Sequence, residues 1–291
     1  MKEYQRKPEW LKVQIKDTKK LVQVNEILKA NNLNTVCEGA ACPNRLECFS
    51  KRTATFMILG NNCTRGCKFC NISGGKPETV DMEEPKRLAK AVKEMGLKHA
   101  VITSVTRDDL DDGGSMHFYN TVKAIQNTSK DTIIEVLIPD FQGCSESLDN
   151  VIKSSPDIIN HNVETIERLY SSVRPEADYE QSLHLLSEVK DRSNIYTKTG
   201  FMLGLGEKKE EVYKLIDDLS GRNIDFLTIG QYLPPSKDHF PLDRYVSPEE
   251  FDDYKEYALK KGFKFVASAP LVRSSYNASE FFEAVVNRKS N

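Results

Sequence analysis

Six of the seven cysteines in this chain fall in two triplets between residues 37 and 70, and the triplets are spaced differently. Cys37, Cys42 and Cys48 read C-x4-C-x5-C, whereas Cys63, Cys67 and Cys70 read C-x3-C-x2-C. Each triplet brings three thiolates into one small volume, which suits a cubane iron–sulfur cluster. Three thiolates leave one of four irons without a cysteine, and an open metal position is one that can bind a reactant. Two such sites, one directly after the other, point to an enzyme with a difficult reaction to perform rather than to an electron carrier. They also force the fold to hold two short loops tightly bent.

The rest of the composition narrows the class. With 291 residues and 39% hydrophobic content the chain has enough apolar mass for a substantial core. The net charge of −2 exerts no global pull toward nucleic acid or a membrane surface. No stretch approaches the roughly 18 apolar residues of a membrane span. The opening MKEYQRKPEWLK lacks the apolar centre of a secretory signal. Clustered cysteines without such a signal are expected as metal ligands in a reducing, cytoplasmic setting, not as a disulfide framework.

From residue 54 onward short apolar runs alternate with amphipathic stretches. The expected strands are Ala54–Leu59, Ala100–Thr103, Ile133–Ile138, Ile158–Asn160, Tyr196–Leu203, Phe226–Ile229 and Phe263–Ala267. The expected helices are Glu83–Met95, Met116–Gln126, Tyr179–Val189, Glu207–Leu219 and Pro248–Lys261, with an earlier one over 18–31. Strand-then-helix repetition predicts an α/β fold with a parallel sheet, open or curled into a partial barrel. Sites in such folds lie at the C-terminal ends of strands, and the second triplet follows the first strand directly.

The second triplet has Gly66 for a tight turn and an aromatic, Phe69, before its last cysteine. Cys67-x2-Cys70 alone would suit a zinc knuckle, but a zinc ribbon needs a second C-x2-C, and none exists. The full C-x3-C-x2-C resembles the signature of the radical S-adenosylmethionine (SAM) superfamily. That resemblance implies a [4Fe–4S] cluster on Cys63, Cys67 and Cys70 whose open iron chelates SAM. The reduced cluster then cleaves SAM to a 5′-deoxyadenosyl radical.

C-x4-C-x5-C upstream of such a triplet resembles the lipoyl synthase family. The likeness extends through Thr53–Gly60, Thr103–Gly114, Asn160–Thr165, Gly230–Ser236, Arg244–Phe251 and the RSSY motif Arg273, Ser274, Ser275, Tyr276, covering Lys7 to about Ala278. It implies a partial (β/α)6-type TIM barrel over 51–270. An extension over 1–50 would carry the auxiliary-cluster cysteines, and a helical tail over 271–291 would carry RSSY. It also implies a second [4Fe–4S] cluster on Cys37, Cys42, Cys48 and Ser275, serving as sulfur donor. A hydroxyl binds iron more weakly than a thiolate, which suits a ligand that must leave. The structural alternative is that Ser275 caps a helix over 277–286.

SAM needs backbone carbonyls, an acidic acceptor and a cationic donor. Gly113 and Gly114 resemble the family's amine-binding glycine motif, though a Gly-Gly pair is also an ordinary turn. Ser104, Asn162, Glu164 and Arg174 follow strand ends and are the other expected SAM contacts; each also suits a loop-satisfying role. Arg107, Asp108 and Asp109 read as a solvated charge run or as part of the site. His161 reads as a structural histidine and Cys144 as an odd cysteine outside any ligand spacing. Gly204 and Gly206 are expected to let the backbone approach SAM. Lys260, Lys261 and Lys264 read as a solvated face, with an acidic carrier domain as the alternative.

The family's reaction is sulfur insertion at C6 and C8 of an octanoyl chain on a carrier-protein lysine. The implied partners are an octanoylated carrier (glycine cleavage H protein or dehydrogenase E2 type), a flavodoxin or ferredoxin reductant, and iron–sulfur assembly or carrier proteins, with no nucleic acid and no membrane. A biotin synthase-like inserter, a zinc-binding module and a plain electron carrier are the alternatives.

Overall fold

A computed structural model describes residues 6–12, 19–39, 42, 44, 48 and 53–275. Its sheet has eight strands whose order in space is their order in the chain. β1 (Asn34–Thr35) pairs antiparallel with β2 (Thr53–Ile58), placing Thr35 opposite Phe56. From β2 onward every pair is parallel: β3 (His99–Ser104), β4 (Ile133–Leu137), β5 (Ile158–Asn160), β6 (Tyr196–Leu203), β7 (Phe226–Gln231) and β8 (Phe265–Ser268). All seven expected strands are present within two residues of their expected bounds. They read as unbroken apolar runs because helices cover one face and the curled sheet covers the other.

The helices are α1 (Lys19–Ala30), α2 (Val36–Gly39), α3 (Glu84–Met95), α4 (Ser115–Thr128), α5 (Ser145–Ser154), α6 (Tyr170–Val173), α7 (Tyr179–Arg192), α8 (Lys209–Ser220) and α9 (Pro248–Lys260). Local chemistry sets their ends. Asp178 and Ser247 accept the N–H of Gln181 and Glu250 at the starts of α7 and α9. Gly96 ends α3 in the left-handed region at φ 59°. α3 buries Leu88, Ala89 and Val92 against the strands. The sequence reading missed α5, whose buried face pairs Leu148 and Val151 with two serines, Ser147 and Ser154.

Inside the curl the strands carry a charged layer. Lys198 Nζ lies 3.0 and 3.1 Å from the two Glu135 oxygens, Asn160 Nδ2 donates to Glu135 Oε1 at 2.9 Å, and His99 Nε2 is 3.2 Å from Oε2. Burial opposes a charged Glu135, but Lys198, His99 and Asn160 outweigh it and hold the carboxyl down at about 2. Next to this layer Ile133, Ile158, Tyr196, Phe226, Ala267 and Val272 form an apolar cluster separate from the main core.

After β8 the chain turns back across the sheet. Ala269 N–H donates to Ile229 O and Gln231 N–H to Pro270 O. A Cβ on Gly230 would lie 2.2 Å from Val272 O, so only glycine admits this crossing. The segment ends with Thr55 Oγ1 donating to Ser275 Oγ at 2.8 Å, which ties the last strand's extension to β2. Residues 276–291, including Tyr276 and the expected helix over 277–286, lie outside the described residues, as do Thr18 and residues 45–47 and 49–52. Among the described residues no helix is long and apolar enough to cross a membrane.

Candidate active site

The second triplet sits at the C-terminal edge of β2. The chain leaves that strand through two left-handed residues, Leu59 at φ 69° and Gly60 at φ 97°. Leu59 is not glycine, so its conformation must be held from outside. Its N–H donates to the buried Glu84 carboxylate at 3.0 Å, and its carbonyl accepts from the buried Arg107 at 3.1 Å. Glu84 is fixed in turn by His117 Nε2 at 2.8 Å, and Arg107 by a two-pronged pairing with Asp109 at 2.9 Å.

The loop itself is tied to four strand ends. Thr64 N–H donates to Thr106 O beyond β3, and Lys68 N–H to Val173 O beyond β5. Phe240 N–H, beyond β7, donates to Lys68 O, and His239 Nε2 donates to Cys70 O at 3.1 Å. Gly66 N–H donates to Glu176 at 2.8 Å. The fourth tie is Arg65, whose side chain is 7% exposed. It reaches Asp108 at 2.6 and 3.0 Å and Asp140, beyond β4, at 2.7 and 2.8 Å. Arg107, Asp108 and Asp109 are therefore not a solvated run; two of the three hold the loop and its first turn.

Removing Arg65 strands the Asp140 carboxylate in the interior. Arg65→Met should lower the stability of the metal-free protein by roughly 3–5 kcal/mol in urea, with Arg65→Lys falling between it and the parent because an ammonium cannot make both forks. Burial would raise Asp140, but the hydrogen bonds and charge of Arg65 bring it down to about 2. Its contribution is complete above the ordinary aspartate value of about 4 and fades as pH falls toward 2. The stability gap between Arg65→Met and the parent should therefore narrow in that window.

Burial raises the thiols of Cys67 and Cys70, the latter to about 11, with Arg174 partly offsetting the shift at Cys67 and the Ile72 backbone that at Cys70. Cluster binding therefore releases protons from these groups.

The first triplet is set beside β2 by the β1 pairing, which places α2 and Cys37 against Thr55. Burial and the neighbouring Cys42 raise the Cys37 thiol, while hydrogen bonds with Thr55 pull it back. Cys42 N–H donates to Cys37 O, and Cys48 N–H to Asn44 O. Asn44 Nδ2 donates to Leu271 O at 2.6 Å, and Arg273 feels the charge of Cys42. The tail thus brings Arg273, Ser274 and Ser275 to the side of the first triplet.

The expected SAM contacts lie at or beyond the ends of β3 and β5. Ser104 Oγ, Asn162 Oδ1 and Arg174 Nε are buried and have no hydrogen-bond partner among the described residues. Such groups are satisfied in native proteins, so a polar ligand fits here. Glu164 (φ 69°) accepts from Asn162 Nδ2 at 3.1 Å; burial raises its pKa and Arg174 opposes that. Arg174 Nη1 is committed to the Asn162 and Val163 carbonyls and Tyr170 Oη, which leaves Nε, together with Nη2, on the side that can meet a ligand. Gly113 (φ 58°) and Gly114 (φ 85°) turn into α4. The Gly114 carbonyl already accepts from His117 and Phe118 N–H, so the turn's other carbonyl, on Gly113, is the more available.

Other expectations fall differently. His161 Nδ1 donates to Ile138 O at 2.8 Å, and its buried Nε2 has no hydrogen-bond partner among the described residues. The space a Cβ on Gly204 would need is filled by Gln231 Nε2 and Arg244 O, at 2.3 and 2.6 Å, so its close approach is to this chain itself. Lys261 pairs with Asp217 at 2.7 Å, Lys264 with Asp225 and Lys260 with Glu256. All three lysines lie at the N-terminal edge of β8, opposite the cysteines. Cys144 is exposed between Gly143 and α5. Sequence reasoning overlooked Arg65, Asp140, Glu84 and Thr55; Arg65, inside the cysteine motif, and Thr55, inside the Thr53–Gly60 stretch, carried a signal.

The description "Radical SAM superfamily" matches residues 57–219. A lipoyl synthase of Alkaliphilus metalliredigens is 58% identical over 286 residues, 98% of this chain and 99% of that protein. One from Caldicellulosiruptor bescii is 54% identical over 98% of each. Among solved structures, Streptococcus suis SuiB bound to S-adenosylmethionine superposes with a TM-score of 0.59 at 12% identity, covering 87% of this chain and 62% of that one. That last likeness speaks for the fold alone.

Proposed function

The chain belongs to the lipoyl synthase family of the radical SAM superfamily, and on that basis we propose which residues do the work. A lipoyl synthase is a sulfurtransferase that replaces one hydrogen at C6 and one at C8 of an octanoyl chain by sulfur. The chain is carried on a lysine of a lipoyl carrier protein, and the cofactors are SAM and two [4Fe–4S] clusters. Bound SAM and the clusters supply the hydrogen-atom abstraction and the sulfur, neither of which side-chain acids and bases can provide.

The observation that carries the assignment of residues is the meeting of three distant segments at β2. The extension brings Cys37, Cys42 and Cys48, the barrel brings Cys63, Cys67 and Cys70, and the tail brings Ser275. This is the functional content of the division into 1–50, 51–270 and 271–291. In the proposal Cys63, Cys67 and Cys70 hold the SAM cluster. Cys37, Cys42, Cys48 and Ser275 hold the auxiliary cluster. Arg174 Nε donates to the SAM carboxylate, the Gly113 carbonyl and Glu164 accept from its ammonium, and Ser104 and Asn162 satisfy its ribose hydroxyls. Gly114 acts by shaping the turn. Arg65 and Glu84 keep the cysteine loop in place without touching substrate.

The low-potential electron comes, in this reading, from a flavodoxin or ferredoxin, and consumed clusters are restored by iron–sulfur assembly or carrier proteins. A cytoplasmic location accords with thiols that must stay reduced to bind iron. Anaerobic reconstituted protein with SAM, reductant and an octanoyl-lysine peptide should yield 5′-deoxyadenosine and a peptide in which two sulfurs replace two hydrogens, read by mass spectrometry. Deoxyadenosine with unmodified peptide would count against the auxiliary-cluster assignment.

A further inference from the structure

We propose that Thr55 is a positioning residue for the auxiliary cluster, its hydroxyl holding Ser275 at the place from which it meets an iron. The inference rests on the reading of Ser275 as the fourth ligand. Thr55 lies within β2 and is 3% exposed. Its Oγ1 donates to Ser275 Oγ at 2.8 Å, across 220 residues of sequence. A threonine hydroxyl has one proton, which Ser275 takes, and the Thr55 backbone also hydrogen-bonds with the Cys37 sulfur. One residue on a rigid strand therefore touches the first cysteine of the extension and the serine of the tail.

The surroundings leave this contact with a defined task. The tail is anchored as far as Val272 by Asn44, Gly230 and the end of β7. Beyond Val272, Arg273 Nη1 bonds back to the Val272 carbonyl, its one hydrogen bond among the described residues. Among the described residues the hydrogen bond that reaches Ser275 is the one from Thr55. A valine would fill the same strand position with equal shape and would need no partner, so packing alone does not call for the hydroxyl. A neutral oxygen ligand is the weakest of the four and depends most on being held in place, and loss of an outer-shell hydrogen bond lowers metal affinity by about 10–100-fold.

The test uses the full chain with Cys63, Cys67 and Cys70 replaced by alanine, so that only the auxiliary cluster is loaded. Iron release to a chelator and the three-iron paramagnetic signal after mild oxidation are followed. Thr55→Val should release iron about tenfold faster and raise the three-iron signal, Thr55→Ser should return both to within about twofold of the parent, and Ser275→Ala should be at least as fast as Thr55→Val. In metal-free protein, Thr55→Val should also speed hydrogen exchange at residues 273–275, which no cluster influences. If Ser275→Ala accelerates release and Thr55→Val does not, the role of Thr55 is overturned and the ligand reading stands. If Ser275→Ala changes nothing, the premise fails and the inference with it. Failure of Thr55→Ser to restore the rate would show that shape, not the hydroxyl, matters. Should Thr55→Val lose the native circular dichroism, Thr55→Ala against Thr55→Ser makes the same comparison.

Discussion

Cys67→Ala is expected to reduce 5′-deoxyadenosine formation by a factor on the order of 10³ or more, with iron content falling by about one cluster. Cys67 lies in the middle of a loop pinned at Thr64, Arg65, Gly66 and Lys68, so the backbone cannot shift another group into its place. Besides Cys63, itself one of the triplet, the charged groups that act on it are Arg174, Glu164 and Glu176. The first is a cation, and the carboxylates are hard ligands where a cluster iron prefers sulfur. Chromatography of SAM products and iron analysis check both halves of the expectation. Residual cleavage near the parent rate would remove Cys67 from the ligand set.

Ser275→Ala should separate the two halves of the reaction. Cleavage of SAM should persist within about threefold, because Ser275 is bonded to Thr55 within β2 rather than to the second-triplet loop. Lipoyl formation should fall by about 100-fold, since the auxiliary cluster loses its non-cysteine ligand. The two products are measured in one anaerobic assay, deoxyadenosine and dithiolated peptide side by side. Undiminished lipoyl formation would show that the fourth iron is held otherwise.

The parallel strands were legible because each is an apolar run followed by an amphipathic helix, and the two periodicities differ. β1 was not: two residues, Asn34 and Thr35, have no apolar signature, and their pairing depends on β2 being there already. α5 hid for a related reason, its serines diluting the helical stripe. The cysteine spacings announced which residues to watch but not what surrounds them. Thr55 is an ordinary strand residue until the tail arrives beside it. Glu84 reads as a helix-start acid, while its carboxylate holds the Leu59 turn. Gly204 looked like room for a ligand and proves to be room for Gln231 and Arg244. Conformation at a loop depends on partners distant in sequence, which local pattern does not encode.

The sheet's spatial order repeats its order of synthesis, so each parallel strand can dock on one already made. Folding of this kind is dominated by near-neighbour pairing and proceeds as the chain emerges. The contacts Asn44–Leu271 and Thr55–Ser275 break the pattern, spanning 227 and 220 residues. The cysteine loop after β2 therefore has β3 to β5 around it while the ribosome is still at work, whereas the site around Cys37 waits for residue 275. The molecule has a built-in sequence of maturation: the radical-generating half takes shape first, and the half that gives up its sulfur is completed last.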